Sequence, residues 1–229
     1  MFDYPMSSRI AGVDDAGRGP IIGPLVVAGV LTVGDRARDL REMGVKDSKL
    51  LTPQQRTLLA AKVRMLVSKV SVTQVEPKEI DEVVMHAGKL RKLNFLEAKM
   101  MARVLAELQP EQAYVDASDV NEQRYGENIR EFLPAEMRGI KLISEHHADR
   151  VYPVVSAASI IAKVTRDDAV ASLRQQYGDF GSGYMTDPKT MDFLRDWRRT
   201  HESYPPMVRV SWKTIKEIER EIGQSRLGA

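Results

Sequence analysis

Short apolar runs closed by glycine or proline alternate along this chain with longer stretches in which apolar positions recur every three or four residues. The first pattern predicts strands and the second amphipathic helices. Ile10 to Asp14 reads as a short buried strand, and Ile22 to Val33, rich in Val and Ile, as a second. Ala16-Gly17-Arg18-Gly19-Pro20 between them has the composition of a turn. Thr52 to Ser68 is a helix with a clear start: Thr52 as N-cap, Pro53 in the first helical position, and Gln55 completing a capping box. Val70 to Val75 alternates as a strand does, and Pro77 to His86 and Lys89 to Leu108 read as helices. Strands are then expected at Ala113 to Ala117 and Ile140 to His146, with a helix at Asn121 to Leu133 between them and a long one at Val154 to Gln176.

Strands interleaved with helices imply an α/β fold, a mixed β-sheet flanked by helices. After Gly178 the texture changes. Gly181, Gly183 and Pro188 mark a join, Asp187 is placed to cap one helix, and Ser211 to cap another beginning at Trp212. The expected organisation is a main α/β domain over residues 1–180 and a small helical extension over 181–229.

The chain has no cysteine, which excludes disulfides, thiolate metal sites and cysteine nucleophiles, so any metal must be held by oxygen or histidine. The residues from Met1 to Ser8 carry no apolar core of signal-peptide length, and the apolar stretch Ile21 to Val33 is broken by Gly23, Pro24, Gly29 and Thr32. No membrane association and a cytoplasmic location are therefore expected. Charge is unevenly spread: Thr32 to Val75 holds nine Lys/Arg against four Asp/Glu, whereas Ala113 to Arg150 holds five against eight. One segment suits phosphates and the other cations, although ordinary surface variation gives the same contrast.

The chemistry concentrates where apolar runs end in carboxylates. Gly12-Val13-Asp14-Asp15 closes a buried strand just before the glycine turn. Successive strand side chains face opposite ways, so Asp14 and Asp15 can share a site only if the strand ends or bends there. Two close anions repel, and a divalent cation would relieve them; a solvated turn, where Asp favours the bend, is the plainer alternative. Asp116, with Asp119 close behind, ends another strand, and Asp149 precedes Tyr152-Pro153 and the long helix. Hard oxygen ligands of this kind suit Mg2+ or Mn2+, and two such ions about 3.5–4 Å apart serve phosphodiester hydrolysis. His146 and His147 lie nearby but read first as surface or packing residues. Gly17, Arg18 and Gly19 would let backbone amides approach a phosphate or sugar. A dinucleotide loop is excluded there, because Pro20 and a strand follow instead of a helix. Lys46, Ser48 and Lys49 offer two cations and a hydroxyl, either a phosphate grip or an exposed polar loop.

These motifs together resemble the ribonuclease HII family, in its archaeal branch. The resemblance is carried by Gly12 to Pro20 with Ile22 to Gly29, by Val45 to Lys49, by Ala113 to Asp116, by Ala148-Asp149 with Tyr152 to Asp167, and by Gly178 to Tyr184 and Ser211 to Thr214. It spans about Ile10 to Ile218 and implies a ribonuclease H-like fold. It implies that Asp14, Asp15, Asp116 and Asp149 are catalytic and bind two metal ions. It further implies that Gly17, Arg18 and Gly19 sense the ribose 2′-hydroxyl and that Tyr184 packs on the junction nucleotide. The implied substrates are RNA–DNA hybrid and ribonucleotide-containing duplex DNA, cut 5′ of the ribonucleotide to leave a 3′-hydroxyl and a 5′-phosphate.

The chain departs from the family pattern at Asp15, where glutamate is usual. Shortening the side chain by one methylene moves the carboxylate by roughly 1.5 Å, and a misplacement near 1 Å can cost about a hundredfold in rate. An altered rate or metal preference is expected; the alternative is a hybrid-binding module without catalysis. The sister type, ribonuclease HIII, usually carries an extra N-terminal substrate-binding domain and lacks this Gly-Arg-Gly, so with eight residues before Arg9 that type is not expected. Of the terminal clamp-docking motif only Gln224-Ser225-Arg226-Leu227 matches, without its aromatic pair, so a sliding clamp is not expected as a partner. A monomer is expected.

Overall fold

The computed structural model of the chain describes residues 7–34, 36–45, 51–86 and 92–227. By contacts these divide into two compact units. The first comprises 1–16, 26–74 and 91–165, and the second 17–25, 75–90 and 166–229. The expected extension, 181–229, lies wholly in the second, together with the glycine turn and the end of the long helix.

The first unit is built on a five-stranded sheet formed by β1 (Arg9–Ala16), β2 (Leu25–Val33), β3 (Lys69–Val75), β4 (Gln112–Asp116) and β5 (Lys141–Glu145). The strand order is β3-β2-β1-β4-β5; β1 runs antiparallel to β2 and parallel to β4, and β4 is parallel to β5. The mixed α/β sheet anticipated from the sequence is therefore present. β2 is buried along nearly its whole length, as its near-continuous apolar run suggests for a strand covered on both faces. It begins at Leu25, not Ile22, because Gly23 (φ +93°) and Pro24 interrupt extended pairing, and Ile21 and Ile22 turn into the apolar core of the second unit.

Helices α1 (Arg36–Glu42), α2 (Pro53–Leu66), α4 (Lys92–Leu108), α5 (Glu122–Phe132) and α6 (Ala148–Val151) belong to this unit; α3 (Pro77–His86) belongs to the second. The Thr52 capping box forms as expected: the Gln55 amide donates to Thr52 Oγ1 at 3.3 Å and the Thr52 amide to Gln55 Oε1 at 2.9 Å. α1 was not anticipated. It is seven residues long and buries only Ala37 and Leu40, too short for a periodic signal. Gly12 explains how α7 (Pro153–Tyr177) meets the sheet, since a Cβ there would fall 2.2 Å from the Val154 carbonyl carbon. Helix and strand backbones touch at that point, and any side chain would part them.

In the second unit Ile21, Ile22, Val170, Phe180, Leu194, Met207, Val208, Ile215 and Ile218 form an apolar cluster. α8 (Pro188–Thr200) is capped by Asp187, as expected. α9 (Lys213–Leu227) starts later than expected, and Ser211 does not cap it. Ser211 Oγ is buried without a hydrogen-bond partner among the described residues, while the Val210 and Ser211 amides donate to the Asp81 carboxylate at 2.9 Å each. The buried Asp81 carboxylate on α3 thus holds the backbone just before α9.

Candidate active site

The acidic residues gather at the carboxyl ends of the two central parallel strands, where open α/β sheets place their ligand sites. β1 and β4 are in register as far as Val13 and Val115, so Asp14 and Asp116 occupy the next step on neighbouring strands. Asp14 is 6% exposed. Burial pushes its carboxyl well above the usual carboxylate range, and the charges of Asp15 and Asp116 push it further. A hydrogen bond from Ser159 and the Asp15 amide, 2.7 Å from Asp14 Oδ1, act in the opposite direction without cancelling them. β1 does not end at Asp15 but continues to Ala16, so strand geometry alone does not turn the two carboxylates to one side. Asp15 Oδ1 accepts from Ser118 Oγ at 3.2 Å.

Asp149 joins through the backbone. Asp116 Oδ1 accepts from the Ala148 amide at 2.7 Å, so the residue before Asp149 is tied to the third carboxylate. His147, in the left-handed region at φ 57°, starts α6 and so sets the direction of that amide. Ser156 Oγ donates to the Asp149 carbonyl, fixing α6 against the start of α7. Among the described residues no three acidic or imidazole side chains already converge as a metal cage. The donor set nevertheless fits a hard divalent cation, which would relieve the crowding on Asp14.

Neighbouring groups take structural parts. Burial alone would raise the Asp119 carboxyl, but the Asn121 amide, Asn94 and Arg124 hold it below the usual range. His146 Nδ1 lies 3.1 Å from the Ala117 carbonyl and its Nε2 3.8 Å from Glu122, so its ring is occupied away from the carboxylates. Glu145, register partner of Asp116, accepts from Tyr152 Oη at 2.9 Å. Burial first, and then this hydrogen bond and the Glu145 charge, push the Tyr152 hydroxyl far up. Two contributors escaped the sequence reading. Ser159, buried on α7, hydrogen-bonds Asp14, and Lys163 Nζ donates to Ser159 Oγ at 2.8 Å, setting a cation one hydroxyl from the buried carboxylate. Their spacing of four on one helix was the available signal.

The second unit holds the glycine turn. Gly17 adopts φ +88°, and a Cβ there would lie 2.6 Å from the Pro24 carbonyl oxygen, so glycine is required twice over. Arg209, fully buried, reaches three carbonyls: Gly17 at 2.6 Å, Arg18 at 2.8 Å and Gly23 at 2.9 and 3.0 Å. Its guanidinium stacks 5.0 Å from the Trp212 ring centre, and Trp212 Nε1 donates to the Gly19 carbonyl at 3.3 Å. Three successive carbonyls are therefore drawn inward. Peptides are trans and planar, so the amides of Arg18 and Gly19 point the other way, outward from the guanidinium. Tyr184 comes within 4.0 Å of where a Gly19 Cβ would sit. Lys46, Ser48 and Lys49 lie outside the described residues, as do the side chains of Gln224 and Leu227.

Comparison with known proteins agrees with this architecture. Residues 11–215 match the family described as Ribonuclease HII. Ribonuclease HII of Pyrococcus abyssi is 43% identical over 221 residues, covering 96% of this chain and 95% of that protein. The crystal structure of ribonuclease H2 from Pyrococcus horikoshii OT3 superposes with a TM-score of 0.85 at 43% identity, covering 93% of this chain and 98% of that one. RNase HII of Archaeoglobus fulgidus, solved as a PCNA:RNase HII complex, gives 0.81 at 40% identity, covering 91% and 96%. A match of this extent, over the strands that carry the carboxylates and the turn that Arg209 holds, places the chain in the ribonuclease HII family.

Proposed function

We propose that this chain is an endoribonuclease that hydrolyses the RNA strand of RNA–DNA hybrids and cuts 5′ of ribonucleotides embedded in duplex DNA, with two divalent ions, Mg2+ or Mn2+. The observation that carries the reading is Asp14, buried and crowded by Asp15 and Asp116. Anions so placed destabilise a protein unless a cation completes them. Asp14, Asp15, Asp116 and Asp149 would hold the ions, which supply a water acidic enough to be nucleophilic near neutral pH and positive charge beside the departing oxygen.

The protein's own groups do the rest. Ser159, supported by Lys163, orients Asp14 and favours its ionised form. The Ala148 amide holds one oxygen of Asp116 and so fixes the direction of that carboxylate. In hydrolysis the water oxygen bonds to phosphorus, the P–O3′ bond 5′ of the ribonucleotide breaks, and O3′ takes a proton. The products are a 3′-hydroxyl and a 5′-phosphate. The outward amides of Arg18 and Gly19, with Gly17 shaping the turn, offer donors to the ribose 2′-hydroxyl, the group that distinguishes RNA from DNA. Tyr184 packs on the junction nucleotide, and Lys46, Ser48 and Lys49 add phosphate contacts.

The test is cleavage of a labelled DNA duplex containing one ribonucleotide, in Mg2+, Mn2+ or EDTA, beside an Asp116→Asn control. The expected result is a metal-dependent cut 5′ of the ribonucleotide that the control loses. Tight binding without a cut in either metal would overturn the proposal in favour of a hybrid-binding module. Clamp docking is no part of this reading, and a sliding-clamp pull-down is expected to be negative. No helix among the described residues is long and apolar enough to cross a membrane.

A further inference from the structure

One buried cation of the second unit has no part in the reading above. Arg166, on α7, is 7% exposed. Its Nε and Nη2 are closed off from solvent and have no hydrogen-bond partner among the described residues. Among the described residues, Nη1 has just the half-exposed Asp167 carboxylate at 4.0 Å, the outer limit of an ion pair. Arg209 in the same unit is as deeply buried and has its donors matched to carbonyls. A buried guanidinium with unmet donors is costly, so its persistence calls for a ligand.

The surroundings say which. The side chain lies against the glycine turn, since a Gly17 Cβ would fall 2.7 Å from Arg166 Cδ and 2.8 Å from its Nε. On another side the Tyr184 ring centre is 5.2 Å from Cζ, and Tyr184 is 41% exposed. The open donors are also the informative pair. Nε–H and one Nη2–H point the same way along one edge of the planar group, the fork that takes two oxygens of a phosphate side-on. We propose that Arg166 is the seat of one backbone phosphate of the nucleic-acid duplex, at the nucleotide on which Tyr184 packs, with the Tyr184 ring as its cover. The ring leaves the guanidinium for the sugar as the phosphate takes its place. This rests on the nuclease reading for the identity of the duplex, but not on cleavage.

The experiment is a methylphosphonate scan. Phosphates around a single ribonucleotide are neutralised one at a time, and binding is measured in EDTA for the wild type, Arg166→Gln and Arg166→Lys, with thermal melting to confirm folding. One phosphate is expected whose neutralisation weakens the wild type by about tenfold or more and Arg166→Gln hardly further. The slope of log affinity against log salt should fall by about one in that variant. Arg166→Lys, which keeps a charge without the fork, should show reduced coupling at the same phosphate, and it carries the scan if the glutamine variant does not fold. Wild-type-like binding by Arg166→Gln, or equal penalties in variant and wild type at every phosphate, would make Arg166 a brace for Gly17 and Tyr184 and overturn the proposal. A wild type that binds and shows the coupling but never cleaves would sink the nuclease reading alone.

Discussion

Replacing Asp14 by asparagine should stabilise the protein when divalent ions are removed. In the folded state the Asp14 carboxyl is raised by burial and by the charges of Asp15 and Asp116. A carboxyl whose folded pKa exceeds its unfolded value, about 3.9, contributes stability that is fully present below that value. The contribution is lost as pH rises through the folded pKa. As pH rises toward neutrality without metal, placing a charge on buried Asp14 beside Asp15 and Asp116 therefore costs stability. The asparagine amide would remove that charge and keep an oxygen for the Asp15 amide and the Ser159 hydroxyl. Relief of one uncompensated buried charge is worth about 1–3 kcal/mol. At about 2–4 °C per kcal/mol for a chain of this size, Tm should rise by about 2–12 °C. The assay is calorimetry of wild type and Asp14→Asn in EDTA across pH 4.5 to 8, where the gap should open as pH rises. Saturating Mg2+ or Mn2+ should then raise the wild-type Tm, by about 2.7 kcal/mol of stability at a hundredfold excess over Kd, and that of the variant less. A lower Tm for the variant in EDTA at pH 7.5, or a gap independent of pH, would refute the argument that Asp14 is held at a cost.

Three further outcomes follow from the same contacts. Asp15→Glu should change the cleavage rate by about tenfold or more in Mg2+ or Mn2+, because it moves the carboxylate by about one bond length; unchanged rates in both would show the shorter side chain to be neutral. Arg209→Met leaves the Gly17, Arg18 and Gly23 carbonyls without their donor and should cost about 1–3 kcal/mol for each carbonyl left unmet, read as a fall in the urea midpoint. Thr52→Ala removes one half of a capping box and should cost about 1 kcal/mol with cleavage unaltered; a loss of cleavage would mean that α2 reaches the site.

How much of this was legible in the sequence depended on how far apart the partners lie along the chain. The Thr52 box and the Asp187 cap were readable because donor and acceptor sit within three residues. Ser211 looked like a cap by the same local rule, but α9 starts two residues later, and Asp81, 130 residues away, holds the Ser211 amide. The start of β2 was misplaced because Ile21 and Ile22 are as apolar as the strand they precede. Only Gly23 and Pro24, and a second apolar core to receive the pair, separate them from it. The carboxylates were visible as acids closing apolar runs, yet nothing local showed that β1 pairs with β4 and sets Asp14 beside Asp116.

The same logic explains why the cations were missed while the acids were found. A carboxylate at the end of a buried strand contradicts its apolar context, and a sequence displays that contradiction. Arg209 stands among Pro, Met and Val, but an arginine near the end of a chain has a bland reading as surface charge. Its meaning appears only with the carbonyls of Gly17 and Arg18, 192 and 191 residues away. Lys163 and Arg166 lie one turn apart on a helix whose charged positions look like its solvent face, yet one supports Ser159 and the other lies beneath Tyr184. A negative charge that needs a metal is thus conspicuous in one dimension, whereas a positive charge that shapes a loop or awaits a phosphate is defined by backbone oxygens that any residue can supply. In a nuclease of this build, specificity determinants should therefore be sought among buried arginines whose partners are main-chain or absent, and Arg166 is where that search begins.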